Sequence, residues 1–142
     1  MSLRYAQSDV DLFMQAMGQE VRYSPVIPPA DEIDLRIDLI TEEFDETIAA
    51  LLACKGSGPS NAHMAEVMDG IADSIYVLLG TATAFGIELA PIWEEVHASN
   101  MRKTEGPIRA DGKRLKPEGW TGPDVIGAII DQYTDFDEEE SE

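Results

Sequence analysis

The stretch Glu42-Glu43-Phe44-Asp45-Glu46 most constrains this chain, because it lies inside a long helical pattern from about Asp31 to Cys54. On a helix, Glu42, Glu43 and Glu46 are close neighbours, since residues three and four apart share a face. The apolar residues that recur on the opposite side of the same helix are Ile33, Ile37, Ile40, Phe44, Ile48 and Leu51. Grouped like charges are costly, and a divalent hard cation would relieve that cost. A solvated acidic helix face is the alternative interpretation, and this segment alone leaves both open.

A second acidic group follows on the next predicted helix, from about Ala62 to Phe85. Glu66, Asp69 and Asp73 fall together at i, i+3 and i+7, and the same side continues as apolar surface. A helix that is apolar nearly all round is predicted to be buried, and buried carboxylates need partners or a metal. The turn at 55–60 is short, so the two helices are expected to be antiparallel and their acidic faces to converge.

The rest of the chain completes an all-α prediction. A first helix is predicted from Ser8 to about Met17 and a fourth from about Ala90 to Arg102, with proline-rich connector 24–30 between the first two helices. Residues 104–123 are irregular, with an Asp111-Gly112 turn that would join two short strands, and 124–133 form a last short helix. We therefore expect an antiparallel four-helix-type bundle with a short irregular basic C-terminal flap. One domain would span 1–134, and 135–142 would be an acidic disordered tail.

Charge and composition narrow the class of partner. The net charge of −18 argues against nucleic acid or an anionic membrane as a partner of the whole surface. A single cysteine excludes an intrachain disulfide, residues 1–10 lack a signal pattern, and the longest uncharged run, 74–87, is too short for a membrane span, so a cytoplasmic location is expected.

Positive charge is concentrated in one segment. Six of the ten Lys and Arg residues lie between 102 and 116. One interpretation is a solvated loop that balances an acidic body. The other is a phosphate-binding flap beside a metal site, because metal ions with Lys or Arg commonly hold polyphosphates.

The spacing Glu42-Glu43-x-x-Glu46 followed by Glu66-x-x-Asp69 resembles that of the all-α nucleoside triphosphate pyrophosphohydrolases, a superfamily with MazG, the dimeric dUTPases and phosphoribosyl-ATP pyrophosphohydrolase. Residues 69–82 look like the second metal helix of the MazG-like branch, and 96–103 with 111–120 look like its C-terminal part. Many relatives place the acid directly before an apolar-aromatic run, as Asp73 stands here, so two registers are possible and all three acids of the second group are candidate ligands.

The resemblance implies metal-dependent hydrolysis of a nucleoside triphosphate to the monophosphate and pyrophosphate, with Glu42 or Glu43 orienting the attacking water. It further implies Mg²⁺ or Mn²⁺ as cofactor and a homodimer or homotetramer. The implied metal ligands are Glu43, Glu46, Glu66, Asp69 and Asp73, and the implied substrate contacts are Asn100, Lys103, Lys113, Lys116 and Trp120. The alternatives are phosphoribosyl-ATP hydrolysis in histidine synthesis and a non-enzymatic acidic helical adaptor.

Overall fold

The computed structural model describes residues 2–133, and this part of the chain contains helices without any strand. The helices are α1 (Leu3–Ala16), α2 (Ala30–Cys54), α3 (Asn61–Ala84), α4 (Leu89–Lys103) and α5 (Val125–Ile130). The all-α prediction is therefore confirmed. The helices fall into two compact units, an N-terminal unit, Met1–Ile87, with α1 to α3, and a C-terminal unit, Glu88–Glu142, with α4 and α5. The acidic tail predicted at 135–142 lies outside the described residues, and the single domain 1–134 stays a prediction.

Helix boundaries follow the predicted signals closely, with one correction. The Ser60 side chain accepts a hydrogen bond from the His63 backbone N–H, which caps α3 as the sequence indicates. The first helix was predicted to begin at Ser8 but begins at Leu3. Ser8 instead donates its hydroxyl to the Arg4 carbonyl inside the helix. A serine can make that internal bond as well as a cap, so the residue type alone did not fix the boundary.

Helices α2 and α3 pack against each other through small residues. A Cβ atom added at Gly70 of α3 would lie 2.7 Å from Thr47 Oγ1 and 3.1 Å from Thr47 Cα, so the two backbones approach closely here. The Thr47 and Ser74 hydroxyls are 3.1 Å apart and hydrogen-bonded. Further along, Arg36 of α2 lies against Gly80 of α3. Because positions that ascend along α3 meet positions that descend along α2, the two helices are antiparallel, as predicted.

The large aliphatic side chains of this pair point outward, which corrects the prediction of a buried third helix. The buried residues of α3 are Val67, Gly70, Ser74, Leu79, Gly80, Thr83 and Ala84. Exposed apolar side chains on the two helices include Phe44, Ile48, Leu51, Met64, Met68, Ile71, Ile75 and Leu78. We call these eight residues the aliphatic face. The core of the N-terminal unit lies instead where α1 covers α3, with Val10 and Met14 of α1 nearly inaccessible.

The connector between α1 and α2 is bonded to α2 and to the end of α3. Arg22 donates to both carboxylate oxygens of Glu32, at 2.7 and 2.8 Å, and also to the Ala84 carbonyl at the end of α3. Gly86 follows α3 with a φ of +71°, and a Cβ there would lie 2.0 Å from the Ser24 carbonyl oxygen. Both the left-handed backbone and the close approach require glycine at this position. The connector therefore links the start of α2 to the end of α3.

The C-terminal unit combines α4, α5 and the irregular segment between them. The two predicted short strands reduce to one isolated antiparallel bridge between Ile108 and Arg114, closed by the turn at Asp111-Gly112. The Trp120 indole donates to the Ser99 carbonyl at 2.9 Å, which fixes the end of this segment on α4. No single helix among the described residues is long and apolar enough to cross a membrane.

Candidate active site

The predicted acidic residues divide between two neighbouring cavities of the N-terminal unit. Glu43 of α2 and Asp73 of α3 line a mostly apolar cavity of about 480 Å³. Glu46, Glu66 and Asp69 line a second, more open cavity of about 340 Å³. The structure thus brings both predicted acidic groups to one region of the α2–α3 pair. It also places Asp73, not Asp69, in the same cavity as Glu43.

Glu43 is the centre of this acidic region. Desolvation raises the pKa of the Glu43 carboxyl above its ordinary value, and the negative charges of four neighbours raise it further. These neighbours, in decreasing order of effect, are Asp73, Glu46, Glu42 and Asp69. The Glu43 Oε2 atom is also buried without a hydrogen-bond partner. A buried carboxylate oxygen without a donor is costly, so this atom is a strong candidate for a cation ligand.

The donor set fits a hard divalent cation in its chemistry. All five predicted ligands offer carboxylate oxygens, which Mg²⁺ and Mn²⁺ prefer. Within residues 2–133, no three Asp, Glu, His or Cys side chains are already placed to hold a metal ion. The ligand set of Glu43, Glu46, Glu66, Asp69 and Asp73 therefore stays a prediction, which the orphaned Glu43 oxygen supports. Glu42 is exposed, and it reaches the site through its charge on Glu43.

Aromatic and sulfur-containing side chains form the wall of the larger cavity beyond the carboxylates. Phe13 of α1 meets Tyr76 of α3 edge to face, with ring centroids 5.4 Å apart. Met14 and Met17 of α1 line the same cavity. Flat aromatic ligands pack well on such surfaces, since rings and thioethers offer polarizable contact area. The cavity therefore has an anionic end and an apolar wall, and its volume suits a nucleoside.

Four of the five predicted substrate contacts come together in the C-terminal unit. Lys103 donates to the Asn100 side-chain oxygen at 2.9 Å, and its ammonium lies 5.1 Å from the centre of the Trp120 ring. Lys116 lies 4.5 Å from the same ring. Cations beside an aromatic ring are held in place by the ring's negative face. The fifth, Lys113, is exposed near the turn, where Asp111 accepts from its backbone N–H.

Arg36 is a charged cavity residue that the sequence interpretation did not identify. It is buried, with 7% of its surface exposed, and it lines the same cavity as Glu43 and Asp73. A signal was present in the sequence, because Arg36 precedes Glu43 by seven residues and therefore shares its helix face. Gln19, in the connector after α1, also lines this cavity and was not singled out from the sequence.

Comparison with known protein families gives one match. A family model described as phosphoribosyl-ATP pyrophosphohydrolase (PRA-PH) matches residues 10–100, which is more than half of the chain. The chain belongs to the PRA-PH family. This family is part of the MazG-like all-α nucleoside triphosphate pyrophosphohydrolase superfamily, so the predicted resemblance is confirmed. The PRA-PH match includes every predicted acidic site residue and Asn100, whereas Lys103, Lys113, Lys116 and Trp120 lie beyond it. A search of curated proteins finds no match.

Proposed function

We propose that this PRA-PH family member is a nucleoside triphosphate pyrophosphohydrolase. It would cleave the bond between the α and β phosphates of an NTP or dNTP and release the monophosphate and pyrophosphate, as in removal of unwanted nucleotides from the pool. The observation that carries the proposal is Glu43, a desolvated carboxylate with an orphaned oxygen among four other acids, at one end of a nucleoside-sized cavity. Membership of a pyrophosphohydrolase family supports an enzyme over a non-enzymatic acidic adaptor.

The proposed roles follow from the chemistry of the residues that each unit brings together. Glu43, Glu46, Glu66, Asp69 and Asp73 would hold Mg²⁺ or Mn²⁺, which supplies charge neutralisation for the phosphates and activation of water. Glu42 or Glu43 would orient the attacking water as a hydrogen-bond acceptor. Glu43 is the better candidate for proton acceptance, since a raised pKa brings a carboxylate nearer to neutral pH. Lys103 and Lys116, both beside Trp120, and Lys113 with Asn100 would contact phosphate or sugar.

Phosphoribosyl-ATP hydrolysis is the second candidate function, because the matching family model bears that activity in its description. It uses the same bond cleavage and differs in the substrate alone. A pyrophosphate-release assay decides between the two candidates when it compares phosphoribosyl-ATP with the common NTPs and dNTPs, each with Mg²⁺ and with chelator. We expect metal-dependent pyrophosphate release from at least one NTP or dNTP. Release of single orthophosphate, or absence of turnover with all these substrates, would contradict the proposal. The cytoplasmic location stays a prediction.

We further propose that the aliphatic face pairs with the same face of a second copy. The eight residues of the face carry no charge in a chain of net charge −18, so like copies repel each other least here. Their exposed parts amount to roughly 700 Å² per chain, close to the ~800 Å² that each partner contributes to a standard interface. A shallow groove of about 290 Å³ lies between Ile48 of α2 and Ile75 of α3. In a two-fold contact, side chains of each copy would fit into the groove of the other.

Solution mass tests this pairing. Light scattering should give at least twice the chain mass of 15.6 kDa, and Ile48→Asp should shift the mass toward that of one chain. Ile126→Asp is the matched control, because Ile126 is 73% exposed on α5 and lies outside the face. A monomeric parent protein would contradict the proposal.

A further inference from the structure

Arg36 is a buried residue that lines the cavity of Glu43 and Asp73. Among residues 2–133, no hydrogen bond or ion pair engages it, although it is 7% exposed. Glu32, one helical turn away, is its charged neighbour, but both Glu32 oxygens accept from Arg22. Burial lowers the pKa of Arg36 and the Glu32 charge partly offsets that effect. A cation with little access to water and no hydrogen bonds is costly, and an acceptor on a bound ligand would relieve that cost.

The structure makes room for this guanidinium at the cavity wall. A Cβ atom at Gly80 would lie 2.6 Å from Arg36 Nη1, so any larger residue at this position would displace the side chain. The same cavity contains Glu43 and Asp73. Arg36 therefore lies at the wall of the space in which the proposed substrate would lie.

The position of Arg36 along the cavity indicates which part of a nucleotide it meets. Arg36 precedes Glu43 by seven residues and Gly80 follows Asp73 by seven, which is about 10 Å along each helix. Leu39, Tyr76 and Val77 line the cavity between these two levels. This apolar interval suits a sugar and the face of a base rather than a chain of phosphates. If the phosphates lie at the carboxylates, the far edge of the base lies at Arg36.

We propose that Arg36 is a specificity-determining residue that donates hydrogen bonds to a carbonyl oxygen on the far edge of the base. The preferred substrates would then be nucleotides of guanine, hypoxanthine, uracil or thymine. A guanidinium offers donors alone, so the amino group of adenine or cytosine at the same position would leave both partners unpaired. Arginine recognises the carbonyl edge of guanine in this way in protein–DNA complexes. The inference rests on the proposed function and disfavours substrates built on adenine, phosphoribosyl-ATP included.

Two pairs of substrates compare a carbonyl edge with an amino edge. ITP has a carbonyl at C6 and a hydrogen on N1, where ATP has an amino group and an unprotonated N1, and UTP and CTP differ in the same manner at C4 and N3. We expect kcat/KM to favour ITP over ATP and UTP over CTP by about tenfold or more, the size of one arginine–base contact. Arg36→Met should bring both ratios close to one, mainly through loss of the favoured substrates. An amino preference in the parent protein, or equal loss of all four substrates in the variant, would overturn the inference.

A second variant and a binding measurement keep the test decisive. Gly80→Ala retains the Arg36 charge but displaces Nη1, so it should also reduce both ratios, whereas the exposed control Arg4→Met should change neither. Calorimetry with the α,β-methylene analogues of ITP and ATP, in the presence of Mg²⁺, does not need turnover. Preferential binding of the ITP analogue without hydrolysis of any NTP would support Arg36 and refute the proposed function. Equal affinity for the two analogues, or no binding of either, would refute the role of Arg36.

Discussion

Replacement of Glu43 by glutamine should stabilise the metal-free protein and abolish its activity. Desolvation raises the pKa of Glu43 and four acidic neighbours raise it further, so the negative charge of Glu43 is repelled by each of these neighbours. Glutamine keeps the shape and removes that charge. Each like-charge neighbour costs a few tenths of a kcal/mol, so Glu43→Gln should raise the free energy of unfolding by about 1 kcal/mol at pH 7 in the presence of chelator. For a chain of this size that corresponds to a rise of about 4 °C in Tm.

The pH dependence of this gain has a definite sign. The pKa of Glu43 is higher in the folded than in the unfolded chain, so the folded protein binds this proton more tightly. The contribution of Glu43 to the stability of the parent protein therefore falls as the pH rises from the pKa of Glu43 in the unfolded chain, about 4.3, through its pKa in the folded protein. The variant cannot titrate at this position. Its advantage should be absent near pH 4 and complete once the pH exceeds the folded pKa of Glu43.

Metal should reverse the order of stability. With millimolar Mg²⁺ the parent gains binding free energy that a variant with a weakened site loses, so the parent should melt at the higher temperature. Melting curves of both proteins in chelator and in Mg²⁺, at pH 4.5 and pH 7.5, measure all three effects. Asp38→Asn is the control, because Asp38 is exposed on the same helix and is not among the neighbours of Glu43. A less stable variant in chelator at pH 7.5, or an equal Mg²⁺-induced shift in both proteins, would refute the reasoning.

Two further substitutions test other parts of the site. Lys103→Ala removes the ammonium beside Asn100 and Trp120, so it should weaken binding of an α,β-methylene nucleotide about tenfold, as for a lost charge-assisted contact, and leave Mg²⁺ affinity unchanged. Calorimetry measures both affinities, with exposed Lys55→Ala as the control, and a fall in metal affinity alone would contradict the assignment. Gly70→Ala should destabilise the protein by ~1–2 kcal/mol in urea unfolding, since the new Cβ meets the Thr47 backbone and overpacking outweighs the gain in helix propensity. Gly80→Ala should destabilise it less, because the new Cβ meets the movable end of the Arg36 side chain. The opposite order would be inconsistent with the close α2–α3 contact.

The helices were predictable because strong local signals bound them. Pro29 precedes α2, Gly56 and Gly58 follow it in left-handed conformations, and Ser60 caps α3. The start of α1 lacks such a signal, because Ser2 is in the N-cap position but its side chain makes no capping bond. The predicted start of a helix was therefore wrong where no side chain caps it.

The acidic part of the site was predictable for a related reason, while Arg36 was not. Glu43 and Asp73 each belong to a group of acids at helical spacing, and such grouping is conspicuous in a sequence. A single arginine on an acidic helix is ordinarily a solvated partner of its neighbours. Its burial depends on Gly80, which lies 44 positions later, and on α1 covering the same region. Contacts between helices that are distant in sequence determine whether such a residue is buried in a site, and the helical periodicity of one segment does not reveal these contacts.

The aliphatic face and the acidic site have one physical origin in the small residues of α3. Hydrophobic period selects the widest aliphatic stripe of a helix as the core, but Met68, Ile71 and Ile75 in the stripe of α3 are exposed. The distance between packed helices depends on the side chains at their contact, and small residues allow the closest approach. Gly70 and Ser74 meet Thr47 directly, so α2 and α3 turn these faces toward each other and the aliphatic stripe outward. Glu43 lies one turn before Thr47, and Asp73 is adjacent to Ser74. The same close contact therefore brings the two carboxylates into one cavity and leaves the aliphatic face available for another chain.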